Sequence, residues 1–209
     1  MQLAVFGISG RTGRALLATA QERGIGLVAL VRRAATVPRA GHLRVREGGF
    51  GNPDVVQEVV ANTDGVICVL GPRPPFRDAF CAAATAAILA AMNTCVVGRF
   101  VCQTGAMIGA LPQNVSRPMR WAARRFAATH PAVAADRAEQ ERLVRTSALH
   151  WTLVKPPRLT DRPLRRPVAA GPALPVGLLS SIGRPALAAF LLDEVERPRF
   201  IGQAVYVRG

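Results

Sequence analysis

Gly7, Gly10 and Gly13, three apart in the stretch Gly7-Ile8-Ser9-Gly10-Arg11-Thr12-Gly13, offer the most specific chemistry in this chain. The apolar run Leu3-Ala4-Val5-Phe6 precedes them, and Ala15, Leu16, Ala18 and Ala20 follow at helical spacing. A glycine at 7 lets the backbone leave a strand in a tight turn. One at 10 removes a Cβ where a pyrophosphate would approach, and one at 13 lets the next helix pack closely on a sheet. The amides of Arg11, Thr12 and Gly13 then open a helix N-terminus, which attracts phosphate through its unpaired N–H groups and its dipole. Spaced glycines alone also fit a plain turn; a strand before and a helix after make this one a dinucleotide loop. The next strand ends in Val31-Arg32-Arg33, with no acid near it in sequence to accept from a ribose hydroxyl. Arginines there suit a 2′-phosphate through charge-assisted, often bidentate bonds, and Arg11 could reach the same group. The expected cofactor is therefore NADP(H) rather than NAD(H).

Other chemistries find little support. No G-x-S-x-G elbow is present, and His42, His130 and His150 stand in no hydrolase setting. His150 opens an apolar strand and reads as structural. The cysteines, Cys68, Cys81, Cys95 and Cys102, form no CxxC pair and read as small hydrophobes rather than as metal ligands or disulfides. No metal site is expected.

The elements that must hold the loop follow from the apolar pattern. Strands are expected at residues 2–6, 26–32, 43–46, 65–70, 99–103, 150–155 and 204–207. Helices are expected at 11–23, 53–63, 76–92, 118–128, 133–147 and 184–195. Strands apolar on both faces that alternate with helices imply a parallel sheet covered on both sides. The 209 residues are expected to form one domain, with no linker, repeat or low-complexity tract. Two less regular segments, about 106–131 and 156–182, follow the fifth and sixth strands, where open α/β sheets bind ligands. They are the expected walls of a substrate pocket.

Composition narrows the partners. The net charge is +14, but Lys155 is the only lysine, the arginines are dispersed, and eleven aromatics accompany them. The charge predicts salt-sensitive attraction to anions, and nucleic acid is not the expected partner. The basic stretch from Arg117 to Arg125 reads as a surface helix or subunit contact more readily than as a lid over an anionic ligand. The longest apolar stretch, Ala82 to Met92, is too short for a bilayer, and no membrane partner is expected. The absence of a secretory pattern makes the cytoplasm the expected location. A monomer or a homodimer is expected.

GISGRTG, "ALVRR", "VLGPR" and "DRAEQERLVRTSALHWTLVKPPRLTD" together resemble the atypical short-chain dehydrogenase/reductases, and within them the NmrA-like NAD(P)H-binding proteins, nearest the biliverdin reductase B (flavin reductase) branch. The likeness runs from residue 1 to about 208. It implies a single Rossmann-like, doubly wound α/β domain with helices on both faces of a parallel sheet. It also implies an NADP cofactor and hydride transfer to a flavin- or quinone-like acceptor. Carried over by position, cofactor contacts fall on Gly7, Ser9, Gly10, Arg11, Thr12, Gly13 and Arg32, with Arg33 beside it. Leu70 and Gly71, Thr104, and Pro156 and Pro157 fall near the nicotinamide end.

Several positions depart from that family. Gly48-Gly49-Phe50 replaces an acid expected near the adenine, and Gly105 stands where the reductase branch has a serine. Arg137 and Arg158 stand where that branch has histidines. The Tyr-x-x-x-Lys pair of many short-chain dehydrogenases is absent, since Tyr206, the only tyrosine, has no lysine after it. Hydride transfer needs no strong protein acid, because orientation and a polar frame suffice. The residues named for catalysis are Thr104, Arg137 and Arg158. The arginines could hold an anionic substrate group or stabilise charge developing on an oxygen. Helical spacing offers duller roles: Arg137 pairing with Glu141, and Glu139 with Arg142. The expected function is an NADPH-dependent reductase of a small conjugated or aromatic acceptor. A non-catalytic NADP(H) sensor and a non-redox isomerase or cyclase on the same fold are the alternatives.

Overall fold

The computed structural model describes residues 1–38, 40–162 and 167–209. Residues 163–166, within the expected substrate-side segment 156–182, lie outside the described residues.

The chain runs β1 (Gln2–Phe6), α1 (Arg11–Glu22), β2 (Gly26–Val31), β3 (Leu43–Glu47), α2 (Pro53–Val60), β4 (Gly65–Cys68), α3 (Cys81–Thr94) and β5 (Arg99–Gln103). It continues α4 (Arg117–Thr129), α5 (Pro131–Thr146), β6 (His150–Lys155), β7 (Arg158–Thr160), β8 (Ala169–Gly171), β9 (Ser181–Gly183), α6 (Arg184–Glu196) and β10 (Gln203–Arg208). The main sheet has eight strands in the order β3-β2-β1-β4-β5-β6-β10-β8, all parallel except the edge strand β8. The order reverses direction between β1 and β4, which creates a crevice beyond their carboxyl ends.

Alternation along β1 assigns the two faces. Leu3 and Val5 pack with Leu16 and Leu17 of α1 and Leu187 and Leu191 of α6. Ala4 and Phe6 pack on the other side with Val56 and Val59 of α2, Ile88 and Met92 of α3, and Val144 of α5. Both faces are thus dry, as the apolar strands require. The fold is the expected Rossmann-like α/β sheet, mostly parallel, with helices on both sides.

Two elements differ from expectation. Helix α3 begins at Cys81, five residues after Phe76. Phe76 takes φ 58°, outside the right-handed helical region, and Asp136 of α5 accepts from the amides of Cys81 and Ala82, both at 2.9 Å. A cap supplied by another helix leaves no local signature. The stretch 156–182, expected as loop, contains three short strands. β7 and β9 pair with each other, while β8 pairs antiparallel with β10 and extends the sheet. The two irregular segments also meet: Val115 bridges Val176, and Ser116 N–H donates to the Val176 carbonyl at 3.0 Å.

Candidate functional site

Bare backbone forms one side of the crevice. Gly7 adopts φ 99°, and a Cβ there would lie 2.9 Å from the Val69 carbonyl group. A Cβ on Gly13 would lie 2.3 Å from the Gly7 oxygen and 2.5 Å from Ile8 Cα. These contacts are with main chain and cannot swing aside. The Gly10 N–H donates to the Gly7 carbonyl at 3.0 Å, closing the turn. Among the described residues no side chain caps α1, and no acid stands in its first turn. This helix start is therefore free to meet an anion.

Arginines surround it. Arg11 is exposed and pairs with Asp161, which Arg184 also holds at 2.6 Å. Arg184 first, and then Arg11, keep the Asp161 carboxyl below the usual aspartate range. Arg32 and Arg33 are exposed beyond β2, and neither has an acidic partner among the described residues. An acid nevertheless lies close in space. The β2–β3 register sets Glu47 beside Val31, and Glu47 Oε1 accepts from Ala34 N–H at 2.8 Å. The expectation of no neighbouring acid holds along the chain and fails across the sheet, because a parallel partner strand delivered one.

Beyond the ends of β4, β5 and β6 lies a cavity of ≈ 450 Å³. Leu70, Gly71, Thr104, Pro156, Pro157 and both named arginines line it. Phe76, Met119, Phe126, Val133 and Leu159 make its walls largely apolar. Met107, Ile108, Met119 and Phe126 from the segment around 106–131, and Gly177 and Leu178 from the segment around 156–182, also line it. Trp121 on α4 points away and is 65 % exposed, so the basic face of that helix is not part of the lining.

Behind Thr104 sits a buried ion pair that the sequence did not reveal. Lys155 Nζ donates to both oxygens of Glu141, at 2.6 and 2.8 Å, and also to the Ile108 carbonyl. Thr104 Oγ1 donates to the same carboxylate at 2.7 Å. Arg145 lies 3.7 Å from it on the solvent side. Burial pushes the Lys155 ammonium down from its usual range, and the Glu141 charge opposes that shift. The consequence for Thr104 is directional. Its proton points at Glu141, so its lone pairs are what it can offer the cavity.

The only tyrosine and the only lysine, unlinked by sequence spacing, are neighbours here. The β6–β10 register pairs Lys155 with Tyr206, and the ammonium sits 5.8 Å from the ring centroid. The pair is not a Tyr–Lys catalytic couple. The ammonium meets the ring face, and the phenol oxygen is buried with no hydrogen-bond partner among the described residues. Burial, and then Glu141, push the phenol up to about 12.

Arg137 is 4 % exposed, on the inner face of α5. Its Nη1 donates to the Leu70 carbonyl at 2.9 Å and to Gln140 Oε1 at 2.5 Å, and its Nη2 to the Gln103 carbonyl at 3.4 Å. The expected pairing with Glu141 does not form, because Lys155 and Thr104 occupy that carboxylate. The Glu139–Arg142 pair does form, at 2.6 Å. Arg158 stands at the rim as the first residue of β7 and is exposed. Of the cysteines, Cys68, Cys81 and Cys102 are buried as expected, while Cys95 is half-buried. Among the described residues, no cluster of His, Cys, Asp or Glu could hold a metal ion, and no helix is long and apolar enough to cross a membrane.

A parallel sheet in this order, with an uncapped glycine-loop helix at its switch point, defines a Rossmann-type dinucleotide-binding protein. A family model described as NAD(P)H-binding matches residues 7–198, and the chain belongs to that family. Solved structures share the fold at low identity. Superposition on ChuY, an anaerobillin reductase from Escherichia coli, gives a TM-score of 0.81 at 16 % identity, covering 100 % of this chain and 97 % of that one. A short-chain dehydrogenase/reductase from Veillonella parvula gives 0.81 at 15 % identity, covering 99 % and 93 %. The oxidoreductase ylbE from Lactococcus lactis gives 0.80 at 17 % identity, covering 100 % and 91 %.

Proposed function

We propose that the protein is an NADPH-dependent reductase that transfers hydride to a small conjugated or aromatic acceptor, flavin- or quinone-like. The observation that carries this reading is adjacency. The start of α1 borders Leu70, whose amide nitrogen would lie 3.1 Å from a Cβ on Gly7, and Leu70 and Gly71 line an apolar cavity to which Thr104, Gln103, Arg137 and Arg158 bring polar groups. The loop residues Gly7, Ser9, Gly10, Arg11, Thr12 and Gly13 would hold the pyrophosphate. Arg32 and Arg33, exposed and without an acidic partner among the described residues, would meet the 2′-phosphate. Bound there, the cofactor supplies hydride. Leu70, Pro156 and Pro157 exclude water from the reacting face. Thr104 accepts a hydrogen bond, its hydroxyl orientation being set by Glu141 and Lys155. The ChuY and Veillonella structures are described as a reductase and a dehydrogenase/reductase, which supports redox chemistry here.

One observation favours a second reading, that of an NADP(H) sensor without turnover. The hydroxyl nearest the cavity floor commits its proton to Glu141 and offers none to a substrate. One assay separates the two. NADPH binding is followed by fluorescence, then NADPH oxidation is followed with a panel of flavins and quinones. Turnover supports the reductase; binding without turnover across the panel supports the sensor. An Arg32→Ala variant is expected to lose about tenfold in NADPH affinity, the scale of one charge-assisted hydrogen bond, with little change for NADH. Equal loss for both would refute the 2′-phosphate assignment.

A further inference from the structure

Arg137 is a buried cation without a counter-ion. All thirteen acidic residues lie among the described residues, and none comes within 4.0 Å of its guanidinium. Such burial is expensive for a charge left unpaired. The other deeply buried cations are matched: Lys155 by Glu141 at 2.6 Å, and Arg99 by Glu194 at 3.6 Å. The Glu141 charge is taken up by Lys155, with Arg145 also close, so it does not serve Arg137. The cavity that Arg137 lines thus carries positive charge at its floor and, through Arg158, at its rim.

The donor pattern defines what would complete the site. A guanidinium has five N–H donors in a rigid plane. Nη1 uses two of them, on Leu70 and Gln140, and Nη2 uses one, on Gln103. Two donors, on Nε and Nη2, have no oxygen or nitrogen partner among the described residues; the Cys81 thiol, a weak acceptor, is the other group beside the guanidinium. Two neighbouring donors on a fixed plane match the two oxygens of a carboxylate. The Leu70 carbonyl, just beyond β4, and the Gln103 carbonyl of β5 anchor the group and prevent it from swinging out to find an anion in solvent. Around it the walls are Phe76, Phe126, Val133 and Leu159, which suit a flat hydrocarbon body.

We infer that Arg137 receives a fixed carboxylate, so that the cavity takes a small aromatic or conjugated carboxylate in preference to its uncharged analogue. This deepens the reductase reading by naming the class of acceptor, and rests on it only for the word acceptor. The alternative role, stabilising charge that develops on an oxygen during reaction, would leave the resting cation uncompensated and would not show in equilibrium binding.

The test is equilibrium binding of naphthoate and naphthamide to the whole protein by calorimetry, with and without NADPH. Wild type is expected to bind naphthoate about tenfold tighter than naphthamide, the scale of one charge-assisted contact. In Arg137→Met the preference is expected to vanish; in Arg137→Lys, which keeps the charge but loses the fork, part of it remains. Arg124→Met, an exposed change on α4 outside the lining, is expected to keep the full preference, and Arg158→Met, which removes the charge at the rim, to keep most of it. Equal affinities in wild type would overturn the proposal, whatever the variants do. So would a preference abolished by Arg158→Met, or an Arg137→Met protein that keeps the preference and loses only kcat. Because no turnover is needed, the outcome separates from that of the reductase assay. Selective naphthoate binding without any NADPH oxidation would sink the reductase reading and leave this one standing. Rapid oxidation with neutral acceptors and no naphthoate preference would do the reverse.

Discussion

At the end of β1 the protein presents main chain with its side chains removed; at the ends of β5 and β6 it presents side chains in a locked, charged cluster. The first region gains its chemistry from absence. Gly7 and Gly13 let two stretches of backbone approach to distances no Cβ would permit, and the amides of α1 are left without a cap. The second gains its chemistry from mutual compensation. Lys155, Glu141 and Thr104 are buried together, each making the burial of the others tolerable. A site of the first kind fails when something is added, and one of the second kind when something is removed.

The largest effect is expected from breaking the second region. Lys155→Met leaves Glu141 buried without its cation, which should cost about 3–5 kcal/mol in stability by denaturant titration. The double variant Glu141→Gln with Lys155→Met removes both charges and should recover most of that loss. NADPH affinity of the double variant should stay near wild type, since the glycine loop shares no partner with the cluster. If the single variant is as stable as wild type, the pair does not anchor the floor of the cavity.

The first region is expected to break next. Gly13→Ala drives a Cβ into the Gly7 oxygen and Ile8 main chain, an overpacking of about 1–3 kcal/mol that must displace α1 from β1. Its larger consequence should be loss of most NADPH affinity in the fluorescence titration, with the naphthoate site little changed. Wild-type NADPH affinity in this variant would show that the start of α1 does not hold the phosphates.

The same contrast explains what the sequence made legible. Absences are local: glycine spacing between an apolar run and a helical stripe is visible in seven residues, and dry strands announce a two-sided parallel sheet. Compensation is tertiary. Glu141 and Lys155 lie on different elements, and only the β6 end and the inner face of α5 bring them together. A signal was present nonetheless. The buried positions of α5 are Val133, Arg137, Gln140, Glu141 and Val144, core-facing spacing filled by polar side chains. Polar residues on a buried stripe demand partners, and a lone lysine closing the apolar run "HWTLVK" was available as one. Glu47 beside Val31, Tyr206 beside Lys155 and the Asp136 cap on α3 were illegible for a related reason, since each depends on which elements are neighbours.

The mildest prediction concerns the edge of the first region. Asp161, beyond β7, reaches across to Arg11 at the start of α1 and to Arg184 at the start of α6. Asp161 and Arg11 are exposed, and although the Arg184 side chain is only 12 % exposed it keeps its packing, so Asp161→Asn should cost little stability. Its effect should appear in dinucleotide binding. A phosphate and the Asp161 carboxylate would compete for the same guanidinium, and removing the carboxylate should tighten NADPH binding a few-fold. The sign with pH follows from the depressed folded value. The carboxylate remains charged as pH falls through the ordinary aspartate range, and the clasp opens only as pH falls through the lower folded value. The gain in the variant should therefore be constant from neutral pH down to the ordinary aspartate range. If Asp161→Asn instead weakens NADPH, the carboxylate is holding Arg11 in place for the phosphates, and it assists binding where competition is expected.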